Sequence, residues 1–357
     1  MESQAPFSPE DFIIQGEIGR GNYSRVELAI TKENKKVALK KLFYWNSPQR
    51  IINEIKMLKT NKHKHIIELL GAYRDKDEYI LVFPYIPHIP FRTLIPMKYK
   101  SISYYIHGIL SALTYLHSKN IIHRDIKPGN YLFDISTGKG FLIDFAFSEN
   151  YNPDSSNQGT NNNSNNNNSN YNNCNAQPSP SNNDKIFNHQ KFNNDLNNVN
   201  HFNNENSIPH RSFQANHTGT PGFRAPEVLL SAYNQTTAID IWAVGVILLS
   251  CLSLRYPFFL GKDDFSALIE YAEIFGSEKI EAAASECHRT INFPIKFYPK
   301  NLRDMVIALN PYFHELEVPM NVFDLLSHLL EPIPSNRYTA DQARSHPFFT
   351  EAGFIMK

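Results

Sequence analysis

The chain has 357 residues, 41% of them hydrophobic, and its 35 Lys and Arg balance 35 Asp and Glu. That is enough chain for two domains or one large two-lobed one with a sizeable core, and so even a balance gives no sign of a globally charged nucleic-acid or membrane binder. Cys174, Cys251 and Cys287 show no CxxC or His-paired spacing, so neither a zinc site nor a disulfide framework is expected and a reducing compartment fits.

The first residues, 1–11, read as a polar tail without a signal-peptide core. Apolar residues 241–254 are too few to span a bilayer, so a soluble, intracellular protein is expected. Residues 11–85 alternate in strand fashion around one helix. Ile18-Gly19-Arg20-Gly21-Asn22-Tyr23-Ser24-Arg25-Val26 gives GxGxxS between two strand-like segments. Gly19 and Gly21 let the backbone turn sharply and approach phosphates, although a GxG in a hairpin can be a turn and nothing more. In Val37-Ala38-Leu39-Lys40, strand period puts Ala38 and Lys40 on one face. Small Ala38 leaves room for a flat base, and Lys40 projects toward phosphates.

Ser47-Pro48 offers an N-cap and a proline at the first helical position. The helix predicted over residues 49–58 carries Ile51, Ile52, Ile55 and Leu58 as an apolar stripe, with Glu54 inside it. An acid there needs a partner, because burying a lone charge is costly, and Lys40 is the natural one. Residues 31–64 are rich in Lys and Arg with only Glu33 and Glu54 against them, which reads as a solvated lobe surface or as a docking face for an acidic partner. Residues 101–118 read as a helix, with Ile106, Ile109, Leu110, Leu113 and Leu116 near helical spacing.

His123-Arg124-Asp125-Ile126-Lys127-Pro128-Gly129-Asn130 is a specific signal. Asp125 would accept or orient the proton of an incoming hydroxyl, Lys127 would neutralise charge on a transferred phosphate, and Asn130 would hold a metal ion. His123 is expected to be structural. A hairpin over residues 131–133 and 140–143 leads into Asp144-Phe145-Ala146, with Asp144 as the second metal-binding residue. Residues 151–217 are so rich in Asn and Ser that they cannot offset ordering entropy, and they read as a disordered insert in a surface loop. The globular pattern resumes at the tight turn Gly219-Thr220-Pro221-Gly222. Ala225-Pro226-Glu227 closes the segment, Asp240-Ile241-Trp242 and Gly245 open the next helix, and Glu227 is expected to pair with Arg337.

Together these motifs resemble the eukaryotic protein kinase superfamily, in order from Ile18 to Phe349. The resemblance implies an α+β, two-lobed fold with a kinase domain over 12–349: a small β-rich N-lobe (12–85) and a larger helical C-lobe (86–349). It implies ATP between the lobes, bound by residues Ile18 through Val26, Ala38 and Lys40. Phe83-Pro84-Tyr85-Ile86 would be the hinge, with Phe83 as gatekeeper, and Leu132 would lie beneath the adenine. Mg2+ would sit on Asn130 and Asp144. Lys40, Glu54, Asp125 and Lys127 would carry the chemistry.

A narrower resemblance, to Cdc7-like replication-initiation kinases, rests on Gly219-Thr220-Pro221-Gly222-Phe223-Arg224-Ala225-Pro226-Glu227, on residues 234–242, and on Arg255-Tyr256-Pro257-Phe258 followed by Asp263-Asp264. Ser24 at the third loop-glycine position, Pro84-Tyr85 at the hinge and the long insert continue it. It implies a nuclear serine/threonine kinase that phosphorylates the MCM helicase and is activated by a Dbf4-type regulatory subunit, with any zinc belonging to that partner. Arg224, with Thr220, would face the substrate residue after the phosphoacceptor and favour an acidic or phosphorylated one; a brace for the loop is the other reading of Arg224. Ala146 stands where kinases usually have Gly, and it alone motivates the alternative of a pseudokinase scaffold.

Overall fold

The computed structural model describes residues 7–21, 24–43, 48–76, 78–151, 218–350 and 352–353. Asn22, Tyr23, Trp45, Ser47 and residues 152–217 of the insert, Cys174 among them, lie outside the described residues. Five antiparallel strands open the chain: β1 (Phe12–Arg20), β2 (Ser24–Thr31), β3 (Lys36–Leu42), β4 (Gly71–Asp75) and β5 (Glu78–Pro84), in the order β1-β2-β3-β5-β4. Their period of two sorts side chains between two small cores. Phe12, Ala29, Val37, Leu39, Ile80 and Val82 pack on one face. Leu42, Ile51 and Leu81 pack on the other, with Ile55, Ala72 and Phe83 against them.

Between β3 and β4 runs α1 (Pro48–Thr60), a little longer than its apolar pattern predicts. Ile51, Met57 and Leu58 are buried, and so is Glu54, which is 1% exposed. Ile52 does not belong to this stripe: it is 58% exposed. The reason is angular. Residues 51, 54, 55 and 58 share a face at 3.6 residues per turn, and position 52 lies about 100° away. Much of the basic character of residues 31–64 is answered nearby. Lys32, Lys35, Lys41 and Lys62 pair with Asp11, Glu33, Glu27 and Glu68.

The second half is helical. After the short α2 (Phe91–Leu94), α3 (Tyr99–His117) starts two residues before its predicted range and ends one residue short of it. All five apolar positions read from its spacing are fully buried. Next come β6 (Ile121–Ile122), the β7–β8 hairpin (Tyr131–Asp134, Lys139–Leu142) and β9 (Glu149–Asn150), which pairs with β6. Beyond the insert lie α4 (Pro226–Leu229), α5 (Ala238–Ser253), α6 (Asp264–Phe275), α7 (Ser277–Glu286), α8 (Leu302–Leu309), α9 (Val322–Leu329), α10 (Ala340–Arg344) and α11 (Pro347–Thr350).

Every residue of α5 from Ile239 to Ser253 is buried, because α3, α8 and α9 all pack on it. A helix apolar all round needs such a jacket. Gly245 lets α9 close in: a Cβ there would meet Leu330 Cδ2 at 2.7 Å and Leu329 Cβ at 3.0 Å. Cys251 and Cys287 are buried as free thiols. Among the described residues, no helix is long and apolar enough to cross a membrane.

Candidate active site

Lys40 enters from β3. Val37 and Leu39 turn into the sheet's core, while Ala38 and Lys40 share the other, half-buried face, as the period predicts. Lys40 Nζ lies 2.7 Å from Glu54 Oε1 and 3.1 Å from Asp144 Oδ1. Thus one ammonium ties α1 to the residue that follows β8. Burial alone would push that ammonium toward its neutral form, but the carboxylates of Glu54 and Asp144 outweigh it and hold its pKa above the ordinary value. At Asp144 burial likewise opposes ionisation, and Lys40 wins, keeping the carboxyl below its ordinary range. Asn53, beside Glu54, adds a second tie from α1 by donating to the Ser148 carbonyl at 2.7 Å.

Asp125 is the hub of the next cluster and is 4% exposed. Its Oδ2 accepts from Lys127 Nζ at 2.7 Å and from Asn130 Nδ2 at 2.9 Å. Its Oδ1 accepts from the Thr220 N–H at 3.0 Å and the Thr220 hydroxyl at 2.7 Å. Lys127 also donates to the Thr220 hydroxyl, at 2.7 Å. Residues from both sides of the insert therefore meet on one carboxylate. With its nitrogen on Asp125, Asn130 has its amide oxygen as the end suited to a cation. Ile143 N–H donates to the Asn130 carbonyl at 2.9 Å, which sets Asp144 beside it.

These donors fit Mg2+. They are hard oxygens, and the Asp144 carboxyl stays ionised. Among the described residues no set of three or more His, Cys, Asp or Glu could hold a metal alone. Mg2+ commonly takes one or two protein oxygens and completes its shell with water and substrate phosphates, so the site suits a metal that arrives with a nucleotide.

The loop expected to cover phosphates is placed in part. Gly19 pairs with Val26 and Arg20 with Arg25 across β1 and β2, and Val26 pairs with Lys40 across β2 and β3. Neither Gly19 nor Gly21 has a positive φ, and among the described residues a Cβ on either would meet nothing nearer than 3.9 Å, so the packing of those residues does not demand glycine there. The Arg20 guanidinium is engaged by Glu17, and that of Arg25 by Glu27 and Glu78. Ile18 is 43% exposed. Phe83, Pro84, Tyr85 and Ile86 are half-buried, and Leu132 lies on the half-buried face of β7, between buried Tyr131 and Phe133.

Ala146, where kinases usually have Gly, carries no backbone penalty. Ala146 does not adopt a positive φ; the left-handed residue is Asp144 (φ 64). The methyl group therefore meets none of the strain that a Cβ suffers in that region. Arg224 donates from Nε to the Gly219 carbonyl at 2.9 Å and reaches Asp264 Oδ1 at 3.4 Å. Glu227 and Arg337 form the buried pair expected of them, with two contacts at 2.7 and 3.0 Å. Arg337 also donates to the carbonyls of Ala238, Glu331 and Pro332, and its guanidinium lies 5.2 Å from the Trp242 ring.

His123 is structural. It is fully buried, with its Nε2 3.2 Å from the Ile143 carbonyl and its ring edge-on to Phe145. Burial keeps its imidazole neutral by pushing the pKa down. Asp240 does more than open a helix. From the first turn of α5 its carboxylate accepts from the His123 and Arg124 N–H groups at 2.8 and 2.9 Å, and it lies 3.0 Å from His117 Nε2. The reasoning that found Glu54 could have found it, since an acid inside Ala-Ile-Asp-Ile-Trp-Ala-Val needs partners. Gln235 and Glu149, which hold the Arg124 side chain, carried no such signal.

Residues 12–172 and 194–349 match the family described as "Protein kinase domain". The chain is 35% identical to "Probable cell division control protein 7 homolog 2" of Encephalitozoon cuniculi, over 94% of this chain and 90% of that one. It is 31% identical to "Cell cycle protein kinase spo4" of Schizosaccharomyces pombe, over 90% of this chain and 75% of that one. It is 33% identical to "Probable serine/threonine-protein kinase cdc7" of Dictyostelium discoideum, over 97% of this chain and 41% of the longer relative.

Proposed function

This chain belongs to the protein kinase family and, within it, to the Cdc7-like cell-cycle serine/threonine kinases, and from that premise we propose that it moves the γ-phosphate of ATP onto Ser or Thr of MCM helicase subunits, in the nucleus, to start DNA replication. The observation that carries the transfer is the Asp125 carboxylate, reached by Lys127, Asn130 and Thr220 while Lys40 is closed on Glu54. Asp125 orients the incoming hydroxyl and receives its proton. Lys127 offsets charge on the phosphoryl group in flight, and Lys40 anchors the phosphates that stay behind. Asn130 and Asp144 would hold Mg2+, which when bound would supply further neutralisation of phosphate charge.

The cell-cycle setting rests on the names of the relatives, one a cell division control protein homolog and one a cell cycle protein kinase. Arg224 and Thr220 stand at the turn where the acceptor peptide would lie, and a substrate acid or phosphate would compete with Asp264 for the Arg224 guanidinium. A Dbf4-type subunit is the partner proposed for the small lobe. It would raise the population of the state in which Lys40 and Glu54 are closed, and exposed Ile52 on α1 gives it an apolar foothold.

The test is transfer of labelled phosphate from ATP to a helicase-subunit tail by the purified chain, alone and with the regulatory subunit. The complex should be much faster than the lone chain, and Asp125→Asn should lose about 10²-fold or more in either state. Near-parental turnover in Asp125→Asn would remove the assignment of this carboxylate. Transfer to generic acceptors but not to the tail would remove the substrate.

A further inference from the structure

Arg124 stands between His123 and Asp125, is 7% exposed, and has a left-handed backbone (φ 70). Asp240 fixes its backbone through the N–H. Its guanidinium is held separately: Nη1 donates to Gln235 Oε1 at 2.5 Å and Nη2 donates to Glu149 Oε1. Its Nε has no partner among the described residues. A guanidinium this buried needs an anion, because an unpaired buried charge is costly. Gln235 is neutral, so among the described residues the counter-charge at the guanidinium is Glu149.

Glu149 comes from outside the catalytic loop. It opens β9 and lies opposite Ile122 of β6, the residue just before His123. Around it the contacts run the same way: Ser148 Oγ donates to the His123 carbonyl at 3.4 Å, and the Tyr151 N–H donates to the Asn120 carbonyl at 2.6 Å. One carboxylate therefore fastens the strand that follows the metal-binding Asp144 to the loop that carries Asp125. In many kinases an anion of this kind is added by phosphorylating the activation segment, and the new arginine–phosphate pair orders the loop.

We propose that Glu149 is a built-in anion of this kind, a positioning residue that sets Arg124, and through it Asp125, with no phosphate required on the segment. The assignment rests on the kinase reading of Asp125. Glu149 is half-exposed, with 41% of its side chain open, so replacing it opens no cavity in the core and its effect is electrostatic and local.

The experiment uses the full chain and a Ser/Thr acceptor peptide. Treatment with a phosphatase, until mass spectrometry detects no phosphate, should leave kcat within twofold. Glu149→Gln should lower kcat about tenfold with the KM for ATP within twofold, and Glu149→Asp should recover part of the loss. The double variant Arg124→Met, Glu149→Gln should be no slower than Arg124→Met alone, since residues acting through one contact are not additive. Three results would each overturn the proposal: a tenfold loss on dephosphorylation, a Glu149→Gln variant as active as the parent, or losses that multiply in the double variant. Amide exchange over residues 121–125 gives a readout that does not need turnover. It should quicken in Glu149→Gln, and unchanged exchange counts against the proposal even where the parent transfers no phosphate, an outcome that would sink the kinase reading separately.

Discussion

The site turns on a few side chains whose charge states depend on one another. Lys40 satisfies two carboxylates at once, so its removal costs more than a phosphate contact: Glu54, 1% exposed, is left without its counter-charge. Lys40→Met should therefore lower turnover by about 10²–10³-fold, and nucleotide titration with a thermal melt of the same sample separates lost binding from lost fold. Ala146→Gly is the opposite case. Because Ala146 does not use a positive φ, glycine relieves nothing and only frees the unfolded chain. The variant should lose about 0.4–1 kcal/mol of stability, read by denaturant unfolding, with turnover within twofold. A clear gain in turnover would mean that another arrangement of this loop is the working one. At this scale the sequence was most legible where chemistry is tied to spacing. The Lys40–Glu54 pair could be read from it, and so could the grouping of Lys127 and Asn130 with Asp125. Glu149 could not, because an acid at the edge of a short strand looks like any solvated one.

Elements were legible where a period was sustained. The five apolar positions of α3 and the β7–β8 hairpin follow from pattern alone. The stripe of α1 was misread at Ile52, where four consecutive apolar and polar choices leave the helical phase ambiguous, and the sheet that α1 packs on fixes it. The burial of α5 on every side carries no periodic signal at all, since a uniformly apolar helix has no preferred face. Its packing yields a prediction: Gly245→Ala drives a methyl into Leu330 and should cost about 1–3 kcal/mol, seen as a lower denaturation midpoint. The Glu227–Arg337 pair joins α4 to the segment before α10, with side chains 3% and 0% exposed. Arg337→Ala should cost about 3–5 kcal/mol, because it strands a buried carboxylate. If the midpoint moves by less than a third of that, water or another cation must reach Glu227.

Across the whole molecule, acid sensitivity should begin well above the carboxylate range. His63 and His107 are both held down to about 4, by burial first and then by nearby cations including Lys64 and Arg344. His65 and His123 are also lowered, chiefly by burial. The folded chain keeps these rings neutral while the unfolded chain protonates them from about pH 6.5 downward. Their contribution is thus complete above that value and is lost as pH falls from about 6.5 toward 4. Thermal midpoints measured from pH 7.5 to 4.5 should fall in that window, and the slope should be shallower in His63→Gln and His107→Gln. An unchanged slope in both would assign the acid sensitivity to other groups. The jacketed helix α5 has a kinetic consequence as well. Its amides should exchange with solvent only when the whole large lobe opens, whereas those of β1, an edge strand with few buried side chains, should exchange through small local openings. Asp240, which holds His123 and Arg124, stands in the first turn of α5. The loop that carries Asp125 is therefore moored to the helix expected to exchange most slowly, and local openings of β1 should leave it undisturbed.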